Sequence, residues 1–118
     1  MVPGERNARL DDLALRIDTA SDGNDTAALE ELDGECAELF GCESLPDALL
    51  HYFRSNIQDG LQSALNPRDW AWRQRHRERQ ILYLRQARTV PSFDTLSPPR
   101  RAQILTNLAN QMSTLGRP

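Results

Sequence analysis

Apolar residues recur along this chain at intervals of three and four, and short clusters of turn formers separate the periodic stretches. That spacing keeps side chains on one side of a helix, whereas a half-buried strand would alternate at every second position. The pattern predicts five helices. The first runs over about residues 5 to 20, with Leu10, Leu13, Ala14, Ile17 and Ala20 in a single stripe, and it stops at Ser21-Asp22-Gly23-Asn24. The second starts near Asp25 and puts Ala28, Leu29, Leu32, Cys36, Leu39 and Phe40 on one side, while Glu30, Glu31, Asp33, Glu35 and Glu38 point largely away. Gly41 is placed to end it. A gap this short between two amphipathic helices predicts an antiparallel hairpin.

The third helix opens at Ser44-Leu45-Pro46-Asp47, with Ser44 as the expected cap, and continues through Leu49, Leu50, Tyr52, Phe53, Ile57, Leu61, Ala64 and Leu65. Its apolar residues occupy more than one side, which predicts the central position. Gly60 lowers helix propensity by about 1 kcal/mol relative to alanine, and a close helix crossing there would account for it. The fourth helix begins at Asn66-Pro67-Arg68-Asp69 and reaches about Arg88. Residues 92 to 97 form a linker in which Phe93 and Leu96 are expected to pin the chain to the core. The fifth helix starts at Ser97-Pro98-Pro99 and reaches about Leu115. The expected architecture is all-α, five helices packed as antiparallel hairpins in a tetratricopeptide-like array or an irregular bundle. At 118 residues, one helical domain over residues 1–118 is expected.

Composition narrows the chemistry. The longest apolar runs are a few residues and the segment Met1-Val2-Pro3-Gly4-Glu5 has no apolar core, so no membrane partner is expected and the cytoplasm is the default location. Cys36 and Cys42 are too few for a disulfide scaffold and lack the neighbours that zinc needs, so both are expected to serve as buried apolar groups. His51 and His76 stand 25 residues apart with no matched carboxylate or thiol. A non-enzyme is expected, with no catalytic, cofactor-binding or metal-binding residue.

Charge is distributed unevenly. Residues 1–47 carry thirteen acids against three arginines, and residues 48–118 carry four acids against eleven arginines, so a net charge of −3 conceals two opposed halves. Such asymmetry serves a charged partner, holds the two halves together or drives head-to-tail self-association.

The segment Ala102-Gln103-Ile104-Leu105-Thr106-Asn107-Leu108-Ala109-Asn110-Gln111-Met112-Ser113-Thr114-Leu115-Gly116-Arg117 resembles the first helix and turn of a tetratricopeptide repeat. Leu105 stands at the large apolar position, Asn107-Leu108-Ala109-Asn110 at the centre, Met112 at the bulky site and Leu115-Gly116-Arg117 at the turn. In such a repeat Ala109 is small where two helices touch. The repeat's second helix does not follow, so the chain is expected to be a fragment or N-terminal part of a longer helical-repeat protein, with a terminal cap as the alternative. Tyr52-Phe53-Arg54-Ser55-Asn56, Trp70-Ala71-Trp72 and Glu78 to Arg85 look like the helical region of some bacterial repeat proteins fused to HEPN domains. That resemblance implies a sensing or scaffold segment of a defence-type protein. It assigns no catalytic residue, because the spacings from Arg68 and Arg73 to His76 do not match the HEPN motif.

One stretch invites a functional reading. Arg73-Gln74-Arg75-His76-Arg77-Glu78-Arg79-Gln80 sets eight polar residues in a row inside the fourth helix, after Trp70 and Trp72. Arg73 and Arg77 align on one strip, Arg75 and Arg79 on its neighbour. Either these arginines pair with Glu30, Glu31, Glu35 and Glu38, or Arg73, Arg75, Arg77, Arg79, Trp70 and Trp72 form a surface for an acidic protein or for nucleic acid. The two tryptophans either anchor the core or stack on a partner. Protein interaction or scaffolding is the expected function. The alternatives are nucleic-acid association through the fourth helix, disfavoured by the acidic first half, and an acidic inhibitor that covers a basic site on its target. Leu105, Leu108, Met112 and Leu115 are expected to form an apolar stripe that is covered by the fourth helix or by a second copy, which would make a homodimer through helix five.

Overall fold

A computed structural model describes residues 3–42 and 45–114. Its helices are α1 (Pro3–Asp22), α2 (Thr26–Glu38), α3 (Asp47–Ala64), α4 (Trp70–Thr89) and α5 (Pro98–Thr114), with a short 3₁₀ helix, Pro91–Thr95, between the last two. The fold is all-α, and the described residues include no strand.

The reversal between α1 and α2 is built by two adjacent residues. Asn24 takes a left-handed conformation, φ 51°, as short polar side chains tolerate. Beside it the Asp25 amide donates to the Ala20 carbonyl at 2.9 Å, satisfying an orphan acceptor at the end of α1. The Asp25 carboxylate then accepts from the Ala28 amide at 3.1 Å and starts α2. At the other end, α2 stops at Glu38, earlier than the glycine suggested. Leu39 and Phe40 leave the helix but still pack partly buried against the core, and Gly41 supplies a positive φ of 86° in the turn beyond.

The first turn of α3 is capped from a distance. Ser44, the residue expected to do this, lies outside the described residues. Ser92 of the 3₁₀ helix accepts instead from the Ala48 amide at 2.9 Å, which ties the α4–α5 connection to the start of α3. Phe93 and Leu96 pack partly buried on the core, as expected of the linker. Ser97 opens α5, with its carbonyl accepting from the Arg101 amide at 3.0 Å.

Buried side chains from all five helices make one cluster. Leu13 and Ile17 come from α1, Leu29, Leu32 and Cys36 from α2, Leu50, Phe53, Ile57 and Leu61 from α3, Leu84 from α4, and Ile104 and Leu108 from α5. Each large aliphatic or aromatic member contributes about 2 kcal/mol by leaving water. The central helix is α3, which packs against α1, α2, α4 and the 3₁₀ helix, whereas α5 packs chiefly on α4. At Gly60 the crossing is close: a methyl group there would stand 2.5 Å from the Ser21 hydroxyl oxygen and 3.1 Å from Leu29. The molecule is a slab, 46 × 32 × 21 Å.

Candidate interaction surface

The polar first half of α4 is accommodated because α3 meets it with polar groups. His76 Nδ1 donates to Gln58 Oε1 at 2.7 Å. Gln80, the first buried residue of α4, and Arg77 both favour the charged form of the Asp59 carboxylate, against the burial that raises its pKa. The opening turns of α4 therefore need no apolar stripe, and they lie beyond the hydrophobic core.

This placement decides the tryptophans. Trp70 is 68% exposed and Trp72 53% exposed, so neither anchors the core. The Arg75 guanidinium lies 4.6 Å from the centre of the Trp72 ring, one helical turn along. The intervals from Trp72 to Arg75, Arg79 and Leu82 are three, four and three residues, which keeps all four on one side of the helix. All four are exposed, Leu82 by 50%. Leu82 lies just beyond the eight polar residues, and its spacing from Trp72 is the sequence signal that assigns it to the outer stripe.

The four arginines divide. Arg75 and Arg79 face solvent, whereas Arg73 and Arg77 are half-buried, with Arg77 Nη1 donating to Gln74 Oε1 at 3.0 Å. None of the four forms an ion pair with Glu30, Glu31, Glu35 or Glu38 among the described residues, so the expected pairing of α4 with the acidic half is not made. Other arginines meet that half. Arg9 and Arg16 of α1 pair with Glu35 at 2.8 and 2.9 Å. Arg54 of α3 grips Asp33 through two bonds, of 2.8 and 3.1 Å, while its guanidinium lies 4.4 Å from the centre of the Tyr83 ring. Opposite charges thus meet across α1, α2 and α3. The outer stripe of α4 keeps its cations.

The stripe expected on helix five is largely covered from within. Leu108 is buried, Met112 is half-buried and touched through sulfur by Arg85 Nη2 at 3.8 Å, and Leu105 alone of the described members is exposed, by 43%. Leu115 lies outside the described residues. Ala109 faces solvent.

A wide concavity of about 990 Å³ lies where the start of α1, the α2–α3 connection and the α4–α5 connection converge. Arg6, Cys42, Asp47 and Arg100 stand among mixed neighbours there. Cys36 is fully buried, and burial pushes its thiol up to about 12, so it is held as the neutral, unreactive form. Among the described residues no group of three or more His, Cys, Asp or Glu side chains is placed to hold a metal ion. No described helix is long and apolar enough to cross a membrane. In comparisons with known proteins, no family model, no curated protein and no solved structure matches the chain.

Proposed function

We propose that the chain is a non-enzymatic interaction module that takes an acidic protein partner on the outer stripe of α4. The observation that supports this most directly is the exposure of Trp72 and Leu82 beside Arg75 and Arg79. Large apolar side chains next to solvent-facing cations are expensive to leave in water and suit a surface of opposite charge. The tetratricopeptide-like reading of α5 belongs to the same proposal, since in such a repeat the face holding Ala109 receives a further helix. Nucleic-acid association is the second reading, favoured by the stacking of Arg75 on Trp72. It ranks lower because α2 carries five acids and no base.

The chain has two tryptophans, both in the first turn of α4 and one of them, Trp72, in the stripe, so its intrinsic fluorescence reports binding there. Titration with a glutamate-rich peptide should quench or shift the emission, and Arg75→Glu with Arg79→Glu should abolish the response. No response to the peptide would overturn the acidic-partner reading. A response to single-stranded oligouridylate alone, steeply weakened by salt, would put nucleic acid in its place.

A further inference from the structure

We propose that the acidic partner is a second copy of this chain, which lays the outer face of its α2 on the α4 stripe. This rests on the reading of α4 as a docking surface. Inside one copy the two faces form no ion pair with each other among the described residues: Glu35 and Asp33 are taken by Arg9, Arg16 and Arg54, while Glu30, Glu31 and Glu38 face solvent with no ion pair to a described residue. α4 carries six arginines and one glutamate, whereas α2 carries five acids and no base. The charge that each face lacks is present on the other.

Shape agrees with charge. The core side of α2 is Leu29, Leu32 and Cys36, and on its outer side Ala27, Glu31, Gly34 and Glu38 follow at intervals of four, three and four, all exposed. The α4 stripe is bulky where the α2 face is small. At a rise of about 1.5 Å per residue the two stripes have nearly equal lengths, about 16 and 15 Å. Run antiparallel, Leu82 seats on Ala27, Arg79 meets Glu31, and Arg75 crosses Gly34 to reach Glu38. Small residues let the second helix approach closely enough for the Trp72 ring to be covered. Because the two faces are different, the contact is heterologous: it closes into a pair or ring where the faces of successive copies meet, and otherwise extends as a chain.

Sedimentation of the whole chain tests this. Association beyond the monomer is expected at low ionic strength, weakening about tenfold or more between about 0.02 and 0.5 M salt as the charges are screened. Arg75→Glu with Arg79→Glu should be monomeric, and so should Glu31→Arg with Glu38→Arg. Mixed one to one, the two variants should associate again, since each then offers the charge that the other needs. All four positions are exposed, and thermal melts of each variant check that the fold is kept. A wild-type chain that stays monomeric at low salt overturns the proposal, as does association that ignores either reversal or is not regained in the mixture. The fluorescence response of that monomer to the glutamate-rich peptide is independent of self-association. A monomer that responds keeps α4 as a docking surface for another acidic protein; one that does not loses both readings.

Discussion

Arg54 joins three helices through one side chain. Its bidentate bond to Asp33 fixes α2 against α3, and its stacking on Tyr83 extends the tie to α4. Charge-assisted bonds and a cation over an aromatic ring both strengthen as water is withdrawn, and here both partners are half-buried. Arg54→Ala should therefore destabilise the chain by about 2 kcal/mol, seen as a fall of about 8 °C in the melting temperature. The Asp33→Asn change should add little once Arg54 is gone, which a double-mutant cycle would show. The two histidines set a pH dependence. Burial lowers the pKa of His51, with Asp47 opposing, and burial lowers that of His76, with Arg79 assisting. The folded chain then binds fewer protons than the unfolded chain below the ordinary imidazole value of 6.5. This contribution to stability is complete above that value and is lost as pH falls through it toward the lower folded values. The denaturant midpoint should hold steady from about pH 8 to 7 and fall below about pH 6.5, and a shallower fall in His76→Gln would assign part of the slope. Nothing in the sequence separated Arg54 from the other arginines, because its partners are 21 and 29 residues away.

At the scale of the helix, local patterns were largely legible and long-range ones were not. The stripe Leu13, Ile17 and Ala20, the start of α2 near Asp25 and the central position of α3 all follow from spacing and turn chemistry. The crossing at Gly60 was legible too, because a glycine inside an otherwise strong helix needs a reason. Its test is a pair of substitutions. Gly60→Ala gains about 1 kcal/mol in helix propensity, but its methyl group crowds Ser21 and the fully buried Leu29. A net loss of about 1 kcal/mol is expected, since overpacking costs about 1–3 kcal/mol. Ser21→Gly removes the nearest obstacle, so the two substitutions should be far from additive in chemical denaturation. The cap on α3 was not legible. Ser92 reaches Ala48 across 44 residues, and no local motif predicts that. Ser92→Ala should destabilise by about 1 kcal/mol, as loss of a helix cap does. The melting temperature of that variant checks it.

Across the whole molecule, the order of packing was less legible than the elements themselves. Short loops predicted that neighbours in sequence pack together, and α3 on α4 and α4 on α5 follow that rule. The exposure of Trp70 and Trp72 did not follow, because it depends on how far α4 runs past the apolar part of α3, which no periodicity reports. Charge asymmetry between the halves was visible in the sequence, but the way the charges meet was not: the acidic half is met by Arg9, Arg16 and Arg54, and the outer stripe of α4 forms no ion pair with it among the described residues. The same layout makes the ends unequal. α3 is held from several sides, whereas α5 is held chiefly through Ile104 and Leu108 against α4, with Arg100 reaching the Tyr52 ring at 5.2 Å. A helix attached along one face opens without unfolding the rest, so amide hydrogens of α5 should exchange faster than those of α3. Leu108→Ala removes about 2–5 kcal/mol of packing when measured globally, but most of that loss should fall on the attachment of α5. Hydrogen exchange followed by mass spectrometry should then show α5 deprotected while the α3 segment around Phe53 and Ile57 keeps its protection. Equal loss of protection in both segments would mean that α5 and the core unfold as one unit.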